Sequence, residues 1–334
     1  MTASARTPSS LAAALAEIQA PIQDRLPAVS DELWRIVSAD VPLVREVQGH
    51  LMGMKGKLFR PTLLLLSSQV EEAPSSRAVT YAAIIELIHL ATLVHDDSVD
   101  HSALRRGQPT VNAVFSHEVS VIMGDFLYLR ALRELVSLCD LEVMRAITQA
   151  SNEMTLGEIR QLAAFDALAF SESDYVTLIR AKTASLFMVA CEVGALCGAP
   201  RHRSALTRFG ERLGMAFQVA DDLLDYTEQQ DVTGKPGGLD LKEHKVTLPL
   251  IAALREMPVA ARRHVESLFA DPDPSDDLIA EIIGLVGAHG GLDYARRQAD
   301  AYSREAEEAL ADLPDSPARA ALADAIAYVT ERRW

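Results

Sequence analysis

The chain has 334 residues, of which 49% are hydrophobic and only 5% are aromatic, so it can bury a sizeable core. Its formal net charge is −15, and such an acidic chain repels nucleic acid and anionic membrane surfaces, which argues against both as main partners. Strands draw on β-branched and aromatic residues, so the scarcity of aromatic residues favours an all-α fold.

The N-terminal segment, residues 1–20, lacks the basic start and the clean apolar run of a secretory signal, since Glu17 interrupts it. We expect it to be a loosely packed extension of one domain that spans residues 1–334. The chain has no continuous apolar run of about 18 residues, so no transmembrane helix is expected. Its three cysteines lack zinc-type spacing and fit buried thiols in a reducing cytoplasm.

Apolar residues recur at helical spacing along nearly the whole chain. In "YAAIIELIHLATLVHDD", residues 81–97, one face of the predicted helix carries Ile84, Leu87, Ile88 and Ala91. Short breaks rich in Gly, Pro and Ser occur at 71–77, 106–110, 197–203, 272–277 and 289–291. The longest irregular stretch is 228–245, and a loop of that length in a helical protein is more often functional than idle. The pattern predicts a single all-α domain of about a dozen helices.

A cluster of aspartates follows the apolar helix of residues 81–97. Asp96 and Asp100 are four residues apart and so point to one side of a helix, while Asp97 lies about 100° around from Asp96. The same spacing recurs after a second apolar helix, at Asp221, Asp222 and Asp225. Each cluster is therefore expected to emerge at the mouth of a buried region.

Carboxylates this close to one another are destabilising unless a cation lies between them. No cysteine is nearby, and oxygen ligands alone suit a hard cation such as Mg²⁺ or Mn²⁺. One such cluster could be a solvated helix end. Two clusters, each following an apolar helix, indicate a metal site.

Basic residues occur near both clusters, which is informative in an acidic chain. Arg105 and Arg106 follow the first cluster directly. The others are Lys57 and Arg60 in "MKGKLFRP", Lys182 in "RAKTASLF", Lys235 in "GKPGGLDL" and Lys245 in "HKVTLPL". Together they indicate phosphate binding. A P-loop is excluded, because Pro236 follows the Gly-Lys pair where Ser or Thr would be required.

The two kinds of charge predict two kinds of anion binding. Carboxylates repel a diphosphate, so a diphosphate held beside them must be bridged by Mg²⁺, whereas a second one can be held directly by Arg and Lys. The metal-bound diphosphate would be activated as a leaving group, because cations neutralise the charge that develops on it. The apolar helices behind the clusters would hold a hydrocarbon tail.

From about residue 20 to the C terminus, the chain resembles the trans-type polyprenyl diphosphate synthases. The motifs that carry the resemblance, in the family's order, are "GKLFRP", "ELIHLATLVHDDSVDHSALRRG", "MGDFLY", "LGEIRQL", "AKTASLF", "AFQVADDLLDY" and "GKPGGLDLKEHKVTLPLI". The resemblance implies the all-α isoprenoid synthase fold, a single helical bundle around a deep apolar cavity, usually as a homodimer. It also implies Mg²⁺-dependent head-to-tail (1'-4) condensation of isopentenyl diphosphate onto an allylic diphosphate, farnesyl or geranylgeranyl.

The resemblance further implies a role for each aspartate. Asp96, Asp100 and Asp221 would hold the allylic diphosphate through about three Mg²⁺ ions, for which Mn²⁺ could substitute. Asp97 and Asp225 would complete the metal-binding set. The remaining aspartate of the second cluster, Asp222, would support it.

Roles for the other motif residues follow from the same resemblance. Those implied to contact the allylic diphosphate are Arg105, Lys182 and Lys235. Those implied to hold isopentenyl diphosphate are Lys57, Arg60, His89 and Arg106. Thr183 and Gln218 would lie near the developing carbocation, and Lys245 would complete the charge clamp. The released diphosphate would take the proton, so no side-chain base is required.

The chain departs from the family pattern at three positions. Lys55 and Leu58 replace the first Gly and an Arg of the usual GGKRxRP, and His244 replaces a Gly that commonly precedes the lysine at 245. None of these changes removes a residue assigned to catalysis, so activity is expected.

Product length depends on the floor of the apolar cavity. In this family the residues four and five before the first aspartate cluster often form that floor, and here they are the small Thr92 and Ala91. A helix turn rises about 5.4 Å, close to one isoprene unit, so a product of about seven to ten units is expected. Closure by Met123 or Phe126 would instead give a geranylgeranyl or farnesylgeranyl product.

Three other functions remain as alternatives. A type I terpene cyclase would carry a different second motif and would lack the basic set for isopentenyl diphosphate. A silent subunit of a two-component synthase would tend to lose an aspartate cluster or the Lys57–Arg60 pair. A plain acidic helical scaffold would show no Mg²⁺-dependent release of diphosphate.

Overall fold

A computed structural model describes residues 8–53, 56–71, 75–105, 107–162, 167–227 and 237–330. These residues form 17 α-helices and one antiparallel pair of two-residue strands. The predicted all-α fold is therefore confirmed.

The helices of the N-terminal half are α1 (Pro8–Gln19), α2 (Leu26–Val37), α3 (Pro42–Gly53), α4 (Phe59–Ser68), α5 (Arg77–Val99), α6 (Val111–Val114), α7 (His117–Ser137) and α8 (Leu141–Leu162). The strands β1 (Leu104–Arg105) and β2 (Gln108–Pro109) pair between α5 and α6. The helices of the C-terminal half are α9 (Glu172–Ile179), α10 (Ser185–Gly198), α11 (Arg203–Thr227), α12 (Leu239–Lys242), α13 (Leu248–Glu256), α14 (Val259–Ala270), α15 (Asp276–Ala288), α16 (Gly291–Leu310) and α17 (Pro317–Thr330). Short 3₁₀ turns lie at Ala20–Ile22, Ala167–Ala169 and Pro200–His202, and a π-helical turn, Arg180–Ala184, joins α9 to α10.

Helix ends fall where the sequence breaks were expected, and local capping explains several of them. Ser116 caps α7 by accepting the backbone N–H of Val119, and Ser275 caps α15 in the same way. Ser171 and Asp174 form a reciprocal capping box at the start of α9. Pro61 lies in the first turn of α4, where its missing N–H costs no helical hydrogen bond.

Helix α5 is the central helix of the core and packs against α2, α4, α7 and α10. The face predicted to be buried is buried: Ile84 and Leu87 are fully enclosed, and Ala91 is 2% exposed. By length and composition alone α5 could cross a membrane, with a mean hydropathy of 1.5. However, 61% of that apolar window is buried inside the fold, as in a core helix of a soluble protein.

Two sequence expectations about packing are corrected by the structure. The described part of the N-terminal segment is not loosely packed, because α1 lies against α17 and Ile18 is only 1% exposed. The thiols are also not all buried: Cys191 is buried, whereas Cys139 is exposed in the turn after α7. Its backbone has a positive φ of 53°, which places it outside the helix.

The remaining large helices close the bundle around α5. Helices α4 and α10 approach so closely that a Cβ at Gly194 would overlap the carbonyl oxygen of Leu64, so this crossing requires glycine. Helix α11 packs against α10 and α16. This arrangement brings the C-terminal ends of α5 and α11, which carry the two aspartate clusters, to the same region of the molecule.

Candidate active site

The first aspartate cluster lies at the C-terminal end of α5. Asp96 and Asp97 occupy its last turn, and Asp100 is the residue that ends the helix, its N–H donating to the Asp96 carbonyl. Asp97 is buried, and both of its carboxylate oxygens accept from Arg105 Nε, at 2.8 and 2.9 Å. Sequence reasoning assigned Arg105 to the allylic diphosphate and Asp97 to the metal. These roles stay predictions. The structure pairs the two side chains with each other, because the β1 strand returns Arg105 beside the helix end.

Lys182 reaches the first cluster from the π-helical turn. Its Nζ lies 2.5 Å from Glu158 on α8 and 4.0 Å from Asp96. A single π-helical turn inside a helical segment is uncommon and is frequent at functional sites. The extra residue in this turn sets the side-chain directions of Lys182 and Thr183 at the site.

The second cluster is organised by a chain of hydrogen bonds. Thr183 donates to the side-chain oxygen of Gln218 at 2.6 Å, and the Gln218 amide donates to Asp222 at 2.7 Å. The other oxygen of Asp222 accepts from the buried hydroxyl of Tyr175 at 2.5 Å. Asp222 is only 4% exposed, whereas Asp221 beside it is exposed. The two adjacent carboxylates therefore have different environments: Asp222 is held by neighbouring side chains, and Asp221 is accessible.

Asp225 binds the backbone of the segment that follows α11. Its carboxylate oxygens accept the N–H groups of Leu239 at 2.9 Å and Asp240 at 3.0 Å, and its carbonyl accepts that of Gly238. This brings the carboxylate of Asp240 close to the second cluster. Asp225 therefore orients the segment that carries Lys245, in addition to the metal role that the resemblance implies.

Lys245 connects the second half of the site to the first. Its Nζ lies 2.7 Å from Glu243 and 3.6 Å from Asp100. A cavity of about 460 Å³ lies beneath it, and both aspartate clusters contribute to the lining. The polar lining residues are Asp100, Lys182, Thr183, Gln218, Asp222, Asp240, Glu243 and Lys245.

Burial and mutual repulsion raise the pKa values of several carboxyl groups here. Burial raises the pKa of Asp96 to about 6, against the opposing effect of Lys182. Burial likewise raises the pKa of Asp222 to about 7, although Tyr175 and Gln218 stabilise its charged form. The pKa of Asp240 rises to about 8, through burial and the nearby charges of Asp222 and Asp225. Burial opposes the charge of Lys245, but Glu243 and Asp100 hold its pKa above the usual range.

These carboxylates suit a hard divalent cation, because added positive charge would relieve the repulsion that raises their pKa values. Among the described residues, no three His, Cys, Asp or Glu side chains are close enough to hold an ion by themselves. Mg²⁺ is commonly bound by one or two carboxylates together with substrate phosphates and water. The arrangement therefore fits cations that enter with a diphosphate.

A second polar group lies at the start of α4 and around His89, which is about two helical turns before Asp96 on α5. Arg60 Nη1 lies 2.9 Å from His89 Nε2, and its guanidinium stacks over the ring of Phe187 with 4.8 Å to the centroid. The Lys57 ammonium lies 5.6 Å from the centre of the Tyr328 ring. A cavity of about 290 Å³ is lined mostly by apolar residues, and its ionisable lining residues are Glu86, His89, Asp97 and Arg105. The predicted substrate ligands Arg106 and Lys235, and the departure at Lys55, lie outside the described residues.

The other two departures from the family pattern both have a left-handed backbone. Leu58, just before α4, has a φ of 47°, and His244 has a φ of 56°. This region strains residues that carry a Cβ and is readily adopted by glycine, which is the physical reason a glycine suits the position before Lys245. Here the His244 ring is bonded to the end of α14.

The residues predicted to control chain length lie between α5 and α7. Ala91 and Met123 are 2% and 4% exposed and belong to one apolar core, and Phe126 is partly buried against it. The hydroxyl of Thr92 donates to the His89 carbonyl at 2.8 Å, so it is satisfied within its own helix. Their role in product length stays a prediction.

Sequence reasoning did not identify Glu158, Tyr175, Asp240 or Glu243 as site residues. Glu158 and Asp240 lie within the motifs that carry the resemblance, in "LGEIRQL" and "GLDLKEHK". The sequence alone does not show which side chains they contact. Tyr175 had no signal in the sequence, since its partner Asp222 is 47 residues away.

Comparison with known proteins points to one family. The model of the polyprenyl synthetase family matches residues 41–286. The chain is 38% identical over 318 residues to the all-trans-nonaprenyl-diphosphate synthase (geranyl-diphosphate specific) of Rhodobacter capsulatus, covering 95% of this chain and 97% of that protein. It is 35% identical over 320 residues to heptaprenyl diphosphate synthase component 2 of Geobacillus stearothermophilus, covering 94% and 97%.

A solved structure agrees in fold over nearly the same length. The polyprenyl synthase of Caulobacter crescentus CB15, complexed with calcium and isoprenyl diphosphate, superimposes with a TM-score of 0.90 and 31% identity. The superposition covers 96% of this chain and 98% of that one.

Proposed function

Because the chain belongs to the polyprenyl synthetase family and is a prenyltransferase, we propose that it adds isopentenyl diphosphate head to tail (1'-4) to an allylic diphosphate. The product would be an all-trans prenyl diphosphate of about seven to ten isoprene units. The observation that carries this proposal is the meeting of both aspartate clusters, Lys182 and Lys245 around one cavity. An anion bound in this cavity would need cations between it and the aspartates, and it could bind directly to the ammonium groups of Lys182 and Lys245.

Asp96, Asp100 and Asp221 are the residues that would hold the divalent cations, with Mg²⁺ the preferred ion and Mn²⁺ a substitute. The resemblance implies about three ions per site. When bound, they neutralise the charge that develops on the departing diphosphate. The solved relative that contains calcium and isoprenyl diphosphate supports divalent-ion use in this fold.

The protein's own residues position the reacting groups. Lys182 and Lys245 exchange their carboxylate partners for oxygens of the allylic diphosphate. Its C1–O bond breaks with the electron pair on diphosphate, C4 of isopentenyl diphosphate bonds to C1, and the released diphosphate accepts the proton lost from C2. Thr183 donates its hydrogen to Gln218, which leaves the Thr183 lone pairs available to stabilise the allylic cation.

Isopentenyl diphosphate would bind to the basic group beside α4. Arg60 is held by His89 and stacked on Phe187, so its guanidinium is preorganised to bind an anion. Lys57 lies next to the same helix start, and Arg106 would complete the group. His89 lines a different cavity from the one that Asp100 and Lys245 line, which supports separate sites for the two diphosphates.

Two observations support a long product. Ala91 and Thr92 place no bulky ring below the first aspartate cluster, so neither side chain would stop a growing prenyl tail at that level. The two relatives compared above are an all-trans-nonaprenyl-diphosphate synthase and heptaprenyl diphosphate synthase component 2. A floor at Met123 or Phe126 would instead give the geranylgeranyl or farnesylgeranyl product.

The proposal includes a homodimer in the cytoplasm. Three large apolar residues at seven-residue spacing on α7 are exposed in the single chain: Ile122 (66%), Leu129 (60%) and Val136 (50%). Such a stripe on one helix face suits a matching helix of a second copy. The exposed thiol of Cys139 fits a reducing compartment.

A product assay tests the proposed function directly. Purified protein is given labelled isopentenyl diphosphate and Mg²⁺ with geranyl, farnesyl or geranylgeranyl diphosphate, and the dephosphorylated products are sized by chromatography. A long discrete prenol is expected, and a four- or five-unit prenol would place the floor at Met123 or Phe126. Failure of the folded protein to elongate any primer would contradict the proposal for the chain alone. Restoration by an added partner would identify a two-component enzyme, whereas cyclic products would identify a cyclase.

A further inference from the structure

Segment 237–247 carries Lys245 and is anchored at two points. At its start, Asp225 accepts the N–H groups of Leu239 and Asp240. Within it, the N–H of Lys245 donates to the Asp240 carbonyl at 2.7 Å, which closes a turn. The Lys245 ammonium then reaches across the cavity toward Asp100, with 3.6 Å between Nζ and Oδ2.

His244 forms the second anchor of this segment. Its Nε2 lies 2.8 Å from the carbonyl oxygen of Asp271 and 3.3 Å from that of Leu268. Both partners are acceptors, so the proton must be on Nε2, which donates to the two carbonyls. These carbonyls lie at the C-terminal end of α14, where the Leu268 carbonyl also accepts the N–H of Asp271 at 3.2 Å. The ring also packs edge-on against Phe269, with 5.6 Å between centroids.

His244 has a left-handed backbone that depends on these contacts. Its φ of 56° is left-handed, which is unfavourable for a residue with a Cβ unless other contacts compensate. The two carbonyl contacts and the Phe269 contact provide that compensation. The left-handed residue reverses the chain immediately before Lys245, so the direction of Lys245 depends directly on how His244 is held.

We propose that His244 is a positioning residue that fixes the Lys245 ammonium over the diphosphate site by tying segment 237–247 to the end of α14. The inference rests on the proposed function, since Lys245 acts there as a diphosphate ligand. Without the tie, the segment keeps its Asp225 anchor, but Lys245 must be ordered each time substrate binds. Ordering one long side chain at a binding site typically costs about three- to tenfold in affinity.

The test uses His244→Gly, because glycine accepts the left-handed backbone without strain while it removes the ring contacts. We expect kcat/KM for the allylic diphosphate to fall about three- to tenfold. In a Lys245→Ala background the same change should have less than about a twofold effect, since the two residues act through one interaction. An equal loss in both backgrounds, or no loss in either, would overturn the proposal. Phe269→Ala, which removes support from the ring without touching the segment, should give a smaller loss in the same direction.

A second readout does not depend on turnover. Hydrogen exchange of the ligand-free protein should be faster across segment 237–247 in His244→Gly, and unchanged in Lys245→Ala. Unchanged exchange in His244→Gly would refute the tie even if the enzyme proved inactive. If instead the wild-type protein elongates no primer while the exchange result holds, the proposed function fails and the anchoring role of His244 stands.

Discussion

Replacing Asp222 by Asn is expected to stabilise the ligand-free protein increasingly as pH rises. Asp222 is 4% exposed and burial raises its pKa to about 7, from a usual value of 3.8. Between these values the folded state retains a proton that the unfolded state releases. The free energy of unfolding of the wild type therefore falls as pH increases through this window. Asn does not ionise, so the free energy of unfolding of the variant should lack the fall with pH that Asp222 causes in the wild type.

The size of the effect follows from the same pKa values. Each pKa unit is worth about 1.4 kcal/mol, so full ionisation of buried Asp222 costs about 4 kcal/mol relative to the unfolded chain. Part of that cost is already present at pH 5. The difference in free energy of unfolding between the variant and the wild type should therefore grow by roughly 3 kcal/mol between pH 5 and pH 8. Asn keeps the local contacts: it accepts from Tyr175, and Gln218 can turn its amide to accept from Asn and donate to Thr183.

Urea unfolding followed by circular dichroism at pH 5, 6, 7 and 8, with chelator present, measures this gap. Asp300→Asn is the matched control, because Asp300 is an exposed carboxylate on α16 that lies away from the site. The control should follow the wild-type curve at every pH. If the stability curves of Asp222→Asn and the wild type run parallel, burial of Asp222 does not set the pH dependence and the electrostatic account of the second cluster is wrong.

Three further changes test other parts of the proposal. Asp96→Ala should lower the rate of isopentenyl incorporation by about 10²-fold or more while leaving the circular dichroism spectrum intact, and a near-normal rate would contradict the metal assignment. Ala91→Phe should shorten the prenol seen by chromatography, because a ring at this position would stop the prenyl tail below the first aspartate cluster. An unchanged length would place the floor elsewhere. Leu129→Glu should convert a dimer to a monomer in light scattering, since it puts a charge into the apolar stripe of α7. A dimer that survives this change must use another surface.

Several elements of the site were predictable because helix geometry is local. Residues four apart lie on one side of a helix, so the relation between Asp96 and Asp100 could be read directly, as could the buried face of α5 that carries Ile84 and Leu87. The aspartate spacing and the order of the motifs led to the family that the comparisons confirm. The helix breaks were equally local, since proline, glycine and serine act on their own turn.

Other features were not predictable, because they depend on which helices meet. The role of Arg105 at a diphosphate stays a prediction, but its pairing with Asp97, which follows from the return of β1, could not be read from the sequence. Glu158 lies in a recognised motif, but only the packing of α8 against the π-helical turn shows that it holds Lys182. The sequence shows that His244 replaces a common glycine, but it does not show that the His244 ring contacts the carbonyls of Leu268 and Asp271.

By itself, the sequence determined the all-α fold, the two acidic clusters and the chemistry of the family, because periodicity, spacing and residue type are properties of short stretches. The tertiary structure decided which carboxylates are shielded and which are open. Asp221 and Asp222 are adjacent in sequence, yet one is exposed and the other is enclosed by Tyr175 and Gln218. Desolvation, and with it the pKa of a carboxyl group, depends on everything that packs around it, and those neighbours come from distant parts of the chain.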